Sequence, residues 1–144
     1  MKAEDPGVRV VGVQAEGAAA WPGSLEAGEP RALARMRTIA DGIAVGRPGD
    51  VTFAQVAALV DEIVTVDDVV NGKPHPEPFL TAAARLGVEP SRCLVVEDAP
   101  AGIAAARAAG CAVLALTGTT AEDELTADLV VDGLDAVRLE VAAS

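Results

Sequence analysis

Aromatic residues are scarce in this sequence of 144 residues, where they make up 2% and tyrosine is absent. The three aromatic side chains, Trp21, Phe53 and Phe79, cannot build the base-stacking platform that single-strand nucleic-acid binders use. Basic residues are also few, with 11 Lys and Arg against 22 Asp and Glu, for a net charge of −11. Nucleic acids and anionic membrane surfaces attract clustered positive charge, so we expect neither as a partner.

Long apolar runs and cysteine-rich patterns are missing as well. No apolar run is long enough to span a bilayer, and no charged-then-apolar segment at the N-terminus indicates a secretion signal. We therefore expect a cytoplasmic protein. The two cysteines, Cys93 and Cys111, each open an apolar run and match no metal-ligand spacing, so we expect reduced, inert thiols in the core.

The abundant residues are small and aliphatic, and 51% of the sequence is apolar. Apolar runs predict five strands, at residues 8–13, 62–66, 94–96, 112–116 and 129–131. Helical spacing predicts helices at residues 52–60, 76–86, 100–109 and 134–141, and a short one near residue 122. Thr52 is the predicted cap of the first helix. Residues 21–30 are interpreted as a loop with one turn from Ser24, residues 31–36 as a short helix, and residues 38–45 fit neither pattern.

Strands that alternate with helices predict an α/β fold. We expect a three-layer, Rossmann-like arrangement, in which one parallel sheet of about five strands carries helices on both faces. Residues 1–144 would form a single domain. Ligands of such sheets bind beyond the carboxyl ends of the strands, and several polar residues fall at that end.

Three charged residues near these strand ends have the chemistry of a phosphate and metal site. Glu97 and Asp98 follow a short apolar strand directly, and Lys73 lies on a proline-rich loop before a helix. Mg²⁺ takes oxygen ligands and few of them from protein, and a lysine can neutralise a phosphoryl oxygen. The alternative is that Asp98 caps a helix, Glu97 is a solvated acid and Lys73 a surface lysine.

The second half of the chain, residues 67–140, resembles haloacid dehalogenase superfamily hydrolases of the phosphoglycolate phosphatase and β-phosphoglucomutase type. Three strings carry the resemblance: G-K-P-H-P-E-P-F, V-V-E-D-A-P-A-G-I and A-D-L-V-V-D-G-L. The resemblance implies that Asp98 ligates Mg²⁺, that Glu97 supports the metal and that Lys73 stabilises an aspartyl-phosphate. It also implies a small phosphorylated substrate. His75 holds a variable place in the loop, and we expect it to face solvent.

The nucleophile motif of that family, D-x-D-G, does not occur in this sequence. The first predicted strand ends instead in Q-A-E-G, which places Gln14 and Glu16 at the matching positions. Gln14 is a neutral amide and cannot form a phospho-enzyme. Thr38 is a weak candidate for the phosphate-binding Ser or Thr of the family's second motif.

The first half, residues 7–68, resembles a fragment of threonine dehydratase, a pyridoxal-phosphate enzyme of fold type II. The strings are G-V-R-V-V-G-V-Q-A-E-G-A-A-A, T-I-A-D-G-I-A-V-G-R-P-G and V-D-E-I-V-T-V-D-D. The family's cofactor lysine and glycine-rich phosphate loop are not matched, so we expect no pyridoxal phosphate. Because this second resemblance also accounts for the string Q-A-E-G, we interpret the match of Gln14 and Glu16 to the nucleophile motif as coincidence. The two resemblances together suggest a chimera.

Three functional hypotheses follow. The first is a phosphatase-like domain that binds Mg²⁺ weakly and lacks turnover because it lacks the nucleophile. The second is a recombined α/β scaffold without a ligand, and the third is a remnant of a lyase. An exposed apolar patch would favour self-association.

Overall fold

The computed structural model of the chain describes residues 7–14, 20–32, 46–118 and 120–138. The backbone forms two compact units, Lys2–Gly72 and Lys73–Ser144. Within the described ranges, no helix has both the length and the apolar character that a membrane crossing requires.

In its described part, the unit Lys2–Gly72 contains a two-stranded parallel sheet and two helices. The elements, in chain order, are β1 (Val11–Val13), α1 (Trp21–Ala27), α2 (Asp50–Leu59) and β2 (Glu62–Val64), followed by a 3-10 turn at Val66–Asp68. Val11 pairs with Glu62, and the register continues to Val13 opposite Val64. The Trp21 and Phe53 rings stack with their centroids 6.3 Å apart, which joins the two helices.

Hydrogen bonds from backbone N–H groups to aspartate side chains end both strands of this sheet. The Asp61 carboxylate accepts a hydrogen bond of 2.7 Å from the Val10 backbone N–H, and the Asp61 N–H donates to the Val10 carbonyl. At the other end, the Asp68 carboxylate accepts from the Thr65 backbone N–H at 2.7 Å and from the Thr65 hydroxyl at 3.0 Å. Each carboxylate replaces a backbone acceptor, so the ladder stops at β1 and β2 as given.

The unit Lys73–Ser144 contains a three-stranded parallel sheet in the order β3-β4-β5. Its elements are α3 (Glu77–Leu86), β3 (Leu94–Glu97), α4 (Pro100–Ala109), β4 (Ala112–Leu116) and β5 (Leu129–Val131), with 3-10 turns at Pro90–Arg92, Glu122–Glu124 and Leu134–Ala136. Helix α4 packs on β3 and β4, and α3 packs on α4. The core here is mostly aliphatic, with Val95, Ile103 and Val113 buried.

Two of these helices end at glycines in the left-handed conformation. Gly87 has φ +67° and Gly110 has φ +83°, and each donates its N–H back into the preceding turn. A left-handed residue of this kind is the usual helix stop. Both helices therefore end where the sequence predicted, at residues 86 and 109.

The predicted α/β class with parallel strands is confirmed, and five strands are present among the described residues. The strands do not form one sheet, however: they divide into one sheet of two strands and another of three. Strands predicted at residues 8–13 and 62–66 are shorter, because Asp61 and Asp68 end the ladder.

Several predictions about the helices need correction. Residues 21–27 form a helix rather than a loop, because Pro22 lies in the first turn, where no N–H is needed, and Gly28 ends the helix at φ +69°. Helix α2 begins at Asp50, so its cap is Gly49 and not Thr52. Residues 134–136 of the last predicted helix form only a 3-10 turn, after which Val137 is extended, and residues 139–141 lie outside the described ranges. Arg31 and residue 32 are not helical, and the other residues of the helix predicted at 31–36 lie outside the described ranges.

Candidate active site at the carboxyl end of β3

The chain turns from strand to helix within two residues at the carboxyl end of β3. Strand β3 ends at Glu97, Asp98 and Ala99 form a bend, and α4 begins at Pro100. The N-cap residue is Ala99, in an extended conformation, and no side chain caps the helix. The N–H groups of the first turn of α4 are therefore available to an anion beyond the sheet.

Lys73 and Glu97 form an ion pair beside this turn. Lys73 lies on the loop before α3, where the Lys73–Pro74 peptide bond is cis. Its Nζ donates to Glu97 Oε1, and the two side chains are 21% and 10% exposed. The same Nζ lies 5.2 Å from the centre of the buried Phe79 ring, in the geometry of a cation–π contact. The lysine is thus held between a carboxylate and an aromatic face.

A glycine in α4 makes room for the Glu97 carboxylate. A Cβ atom at Gly102 would collide with the Cδ and both Oε atoms of Glu97. Gly102 is buried in the first turn of α4. The carboxylate therefore lies directly on the helix backbone, at the end that favours negative charge.

Asp98 is exposed at the bend, and among the described residues its side chain has no hydrogen bond or ion pair. A free carboxylate next to an uncapped helix start fits Mg²⁺, which keeps several waters and takes few protein ligands. Across the described part of the chain, no group of three or more His, Cys, Asp or Glu side chains could hold a metal ion.

Neighbouring strands add polar groups at the same edge of the sheet. The Thr117 hydroxyl, just after β4, donates to Asp132 Oδ1 at 2.8 Å, just after β5. The Thr117 N–H donates to the Val131 carbonyl at 2.9 Å. These bonds fix the rim beside β3. His75 is exposed, as expected, and its Nδ1 accepts from the Glu77 N–H at 3.2 Å.

The structure brings together part of the predicted site. Lys73 and Glu97 are in contact, and Asp98 follows Glu97 in the chain. The alternative roles for these residues are wrong: Asp98 does not cap α4, and neither Glu97 nor Lys73 is a freely solvated side chain. The roles of all three in binding metal and phosphate remain predictions.

The structure describes only one of the three candidate residues predicted in the first half of the chain. Gln14 follows β1 and donates its backbone N–H to the Val64 carbonyl at 2.9 Å, and its Oε1 atom is buried. Glu16 and Thr38 lie outside the described residues. The assignment of Gln14 and Glu16 to the positions of the nucleophile motif stays a prediction.

Sequence reasoning missed Phe79 and Gly102. Phe79 was counted only as a scarce aromatic, and nothing in the pattern indicated that Lys73 would reach its ring. Gly102 had a usable signal, because a glycine inside a helix costs about 1 kcal/mol relative to alanine and needs a reason to be there. The reason is the Glu97 carboxylate.

A family model described as haloacid dehalogenase-like hydrolase matches residues 28–110, more than half of the chain. A validoxylamine A 7'-phosphate phosphatase from Streptomyces hygroscopicus subsp. limoneus is 49% identical over 81 residues, covering 56% of this chain and 38% of that protein. Hexitol phosphatase A from Escherichia coli is 42% identical over 77 residues, covering 53% of this chain and 36% of that protein.

Solved structures give the same picture. A β-phosphoglucomutase from Clostridium difficile matches with a TM-score of 0.52 at 32% identity, over 62% of this chain and 40% of the other. A hydrolase from Entamoeba histolytica matches with a TM-score of 0.50 at 30% identity, over 54% of this chain and 36% of the other. The chain thus spans well under half the length of the relatives it matches.

Proposed function

The chain belongs to the haloacid dehalogenase-like hydrolase family, and we propose that the carboxyl end of β3 is the phosphoryl- and Mg²⁺-binding part of a phosphomonoester hydrolase site. The observation that carries the proposal is the Lys73–Glu97 ion pair, which lies beside an uncapped helix start and a free carboxylate. Cation, helix N-terminus and acid are the three groups that a metal-bound phosphate requires.

Each residue has a distinct role in this proposal. Lys73 donates to a phosphoryl oxygen, and the Phe79 ring and Glu97 keep its Nζ in place before the ligand arrives. Asp98 supplies a carboxylate oxygen to Mg²⁺, and the N–H groups at the start of α4 donate to the anion. When bound, Mg²⁺ would neutralise phosphate charge at this edge of the sheet.

The substrate class is a small phosphomonoester. Two relatives bear the names of phosphatases, one acting on validoxylamine A 7'-phosphate and one on hexitol phosphates. The chain itself lacks the D-x-D motif, and Gln14 at the matching position cannot attack phosphorus. We therefore expect binding of metal and phosphate without turnover of phosphomonoesters.

Titration calorimetry tests the binding half of this proposal. Mg²⁺ titrated into the chain with excess inorganic phosphate should give a binding signal that Asp98→Ala removes. Asp123→Ala is the matched control, because Asp123 is an exposed acid in the 3-10 turn at Glu122–Glu124, which belongs to the segment between β4 and β5. No binding signal from the unmodified chain would favour the second hypothesis, a scaffold without a ligand, and equal signals from all three proteins would contradict the role of Asp98.

A separate assay tests the absence of turnover. Hydrolysis of p-nitrophenyl phosphate should stay at the background rate in the presence of Mg²⁺. Turnover that Asp98→Asn abolishes would show that the chain is an active phosphatase. That result would contradict the expected lack of turnover and would agree with the proposed role of Asp98.

We also propose that residues 7–68 have a separate origin, as their likeness to threonine dehydratase suggests. The boundary between the two compact units, at Gly72 and Lys73, lies close to the proposed seam and supports this proposal. The match to the haloacid dehalogenase-like hydrolase family, by contrast, starts at residue 28, inside that segment. Expression of residues 73–144 alone is the test: a folded product that binds Mg²⁺ and phosphate supports a seam, and an unfolded product speaks against it.

A further inference from the structure

We propose that Cys93 and Cys111 form a reversible disulfide by exchange with a small-molecule disulfide, which makes this pair a modification site of the chain. The two thiols open neighbouring parallel strands, at the end of the sheet opposite to Lys73 and Glu97. Neither cysteine takes part in the proposed phosphate site. Both are free thiols in the structure.

The strand register places the two cysteines side by side. Leu94 pairs with Ala112, and the Ala112 N–H donates to the Cys93 carbonyl at 3.1 Å, so the ladder continues back to Cys93 and Cys111. Neighbouring strands lie about 4.8 Å apart. That spacing lies within the range of roughly 4.4–6.8 Å between Cα atoms that a disulfide requires.

Both thiols also lie on the same face of the sheet. Side chains two residues apart along a strand share a face. Cys93 therefore shares the face of Val95, and Cys111 shares that of Val113, and these two valines are a buried, paired couple. The thiols are not merely neighbours along the backbone but point to the same side of it.

The surroundings of the two thiols keep them protonated in the folded chain. The Cys93 Sγ donates to the Glu89 carbonyl at 3.8 Å. Burial raises the pKa of both thiols. The second step of disulfide exchange needs the two sulfur atoms close together, and the strand register and the shared face of the sheet supply that proximity.

The exposures of the two residues set the order of events. Cys93 is half-buried, whereas Cys111 is 8% exposed. The Cys93 thiolate attacks the small disulfide, forms a mixed disulfide and releases one thiolate. The Cys111 thiolate then attacks the Cys93 sulfur, and the second half of the reagent leaves as a thiolate. Two thiols are oxidised, one reagent disulfide is reduced, and two protons go to the buffer.

The bridge would enclose residues 93–111, which include β3, α4 and both acids of the candidate site. It would tie the amino ends of β3 and β4 together and leave their carboxyl ends unchanged. The Lys73–Glu97 pair lies four residues along β3 from the bridge, so oxidation is compatible with phosphate binding.

Stoichiometry with an aromatic disulfide reagent, dithiobis-nitrobenzoate, tests the proposal on the full folded chain. One reagent molecule per chain should release two nitrothiobenzoate anions and leave a chain lighter by two hydrogens. Trypsin cuts after Arg92 and Arg107, so the bridge should join the peptides 93–107 and 108–138 under non-reducing conditions. Dithiothreitol should separate them again.

Two variants control this measurement. Cys111→Ser should release one anion and keep the reagent on Cys93 as a stable mixed disulfide. Cys93→Ser should react slowly, because only the buried thiol remains. The mixed disulfide of the unmodified chain should also be shorter-lived in the folded state than in urea. Stable mixed disulfides on the unmodified chain, or bridges only between chains, would overturn the proposal.

Discussion

The two compact units use their polar side chains for different purposes. In the unit Lys2–Gly72, Ser24 is buried, with its hydroxyl donating to the Ala20 carbonyl at 2.7 Å and accepting from the Arg31 N–H at 2.9 Å. Asp61 and Asp68 likewise accept from backbone N–H groups. Among the described residues of this unit, these side chains complete the hydrogen bonding of the backbone.

In the unit Lys73–Ser144, the polar side chains at the end of β3 pair with each other instead. Lys73 and Glu97 form a largely buried ion pair, and the helix start beside them has no cap. Burying a charge raises the free energy of the folded state unless the charge is paired. Folding alone does not require a buried ion pair at this position. Under the proposed function, the polar side chains at the end of β3 bind a ligand, whereas Ser24, Asp61 and Asp68 hold the backbone of their unit.

The largest expected effect on the free energy of unfolding comes from comparing a half-buried ion pair of the second unit with an exposed ion pair of the first. Glu97→Ala leaves the Lys73 charge without its partner in a site that is mostly closed to water. We expect a loss of about 2 kcal/mol in the free energy of unfolding, less than for a fully buried pair because Lys73 keeps some exposure. Urea denaturation followed by circular dichroism measures it.

The matched control is the exposed pair of Arg47 and Asp50, which are 48% and 78% exposed. Asp50→Ala should cost no more than about 0.5 kcal/mol, because exposed pairs are worth little. Equal losses from the two variants would mean that the Lys73–Glu97 pair is no more buried in solution than a surface contact.

The second effect compares two glycines that lie inside helices, one in each unit. A Cβ at Gly23 of α1 would have nothing within 4 Å, whereas at Gly102 it would meet the Glu97 carboxylate. Gly23→Ala should therefore stabilise the protein by about 0.5–1 kcal/mol through helix propensity. Gly102→Ala should lose that gain and destabilise by about 1 kcal/mol, because Glu97 must leave Lys73. Thermal unfolding of both variants decides this, and a stabilising Gly102→Ala would contradict the packing described here.

The smallest effect is a dependence on alkaline pH that belongs to the second unit, which holds both cysteines. Burial raises the pKa of Cys93 and Cys111 above the ordinary value of 9.0. Unfolded thiols then ionise first, so the stability that these groups contribute is complete below pH 9.0 and declines as pH rises through the folded-state values. Reduced protein should show this decline in urea titrations, and a Cys93→Ser, Cys111→Ser double variant should show less of it.

Local sequence rules predicted some elements to the residue. Helix α4 begins at Pro100 and ends before Gly110, and β4 and β5 have their predicted limits. A proline, a glycine and unbroken apolar runs in the sequence mark the boundaries of these elements. Helix α1 was missed because its own proline and glycines suggested a loop. The short β1 and β2 could not be predicted, since side-chain hydrogen bonds of Asp61 and Asp68 end them, and the bond from Val10 to Asp61 joins residues 51 positions apart.

The same distinction holds for the candidate site. Lys73 and Glu97 were predicted because their residue types and positions in the chain suit phosphate chemistry, and the structure joins them across 24 positions. Phe79 and Gly102 define the surroundings of that pair through packing, which depends on how α3 and α4 meet. Residue types in the sequence predict the charged groups of a site. The packing of other residues around those groups can be known only from the fold.

The most direct test of the account is the affinity of the chain for inorganic phosphate in the presence of Mg²⁺, measured by titration calorimetry with Lys73→Met and Lys73→Arg. Charged hydrogen bonds to a ligand contribute roughly 1.5–3 kcal/mol, so Lys73→Met should bind at least about tenfold more weakly. Lys73→Arg should recover part of the loss, and circular dichroism should show that all three proteins are folded. Unchanged affinity in a folded Lys73→Met protein would contradict the assignment of phosphate binding to the carboxyl end of β3.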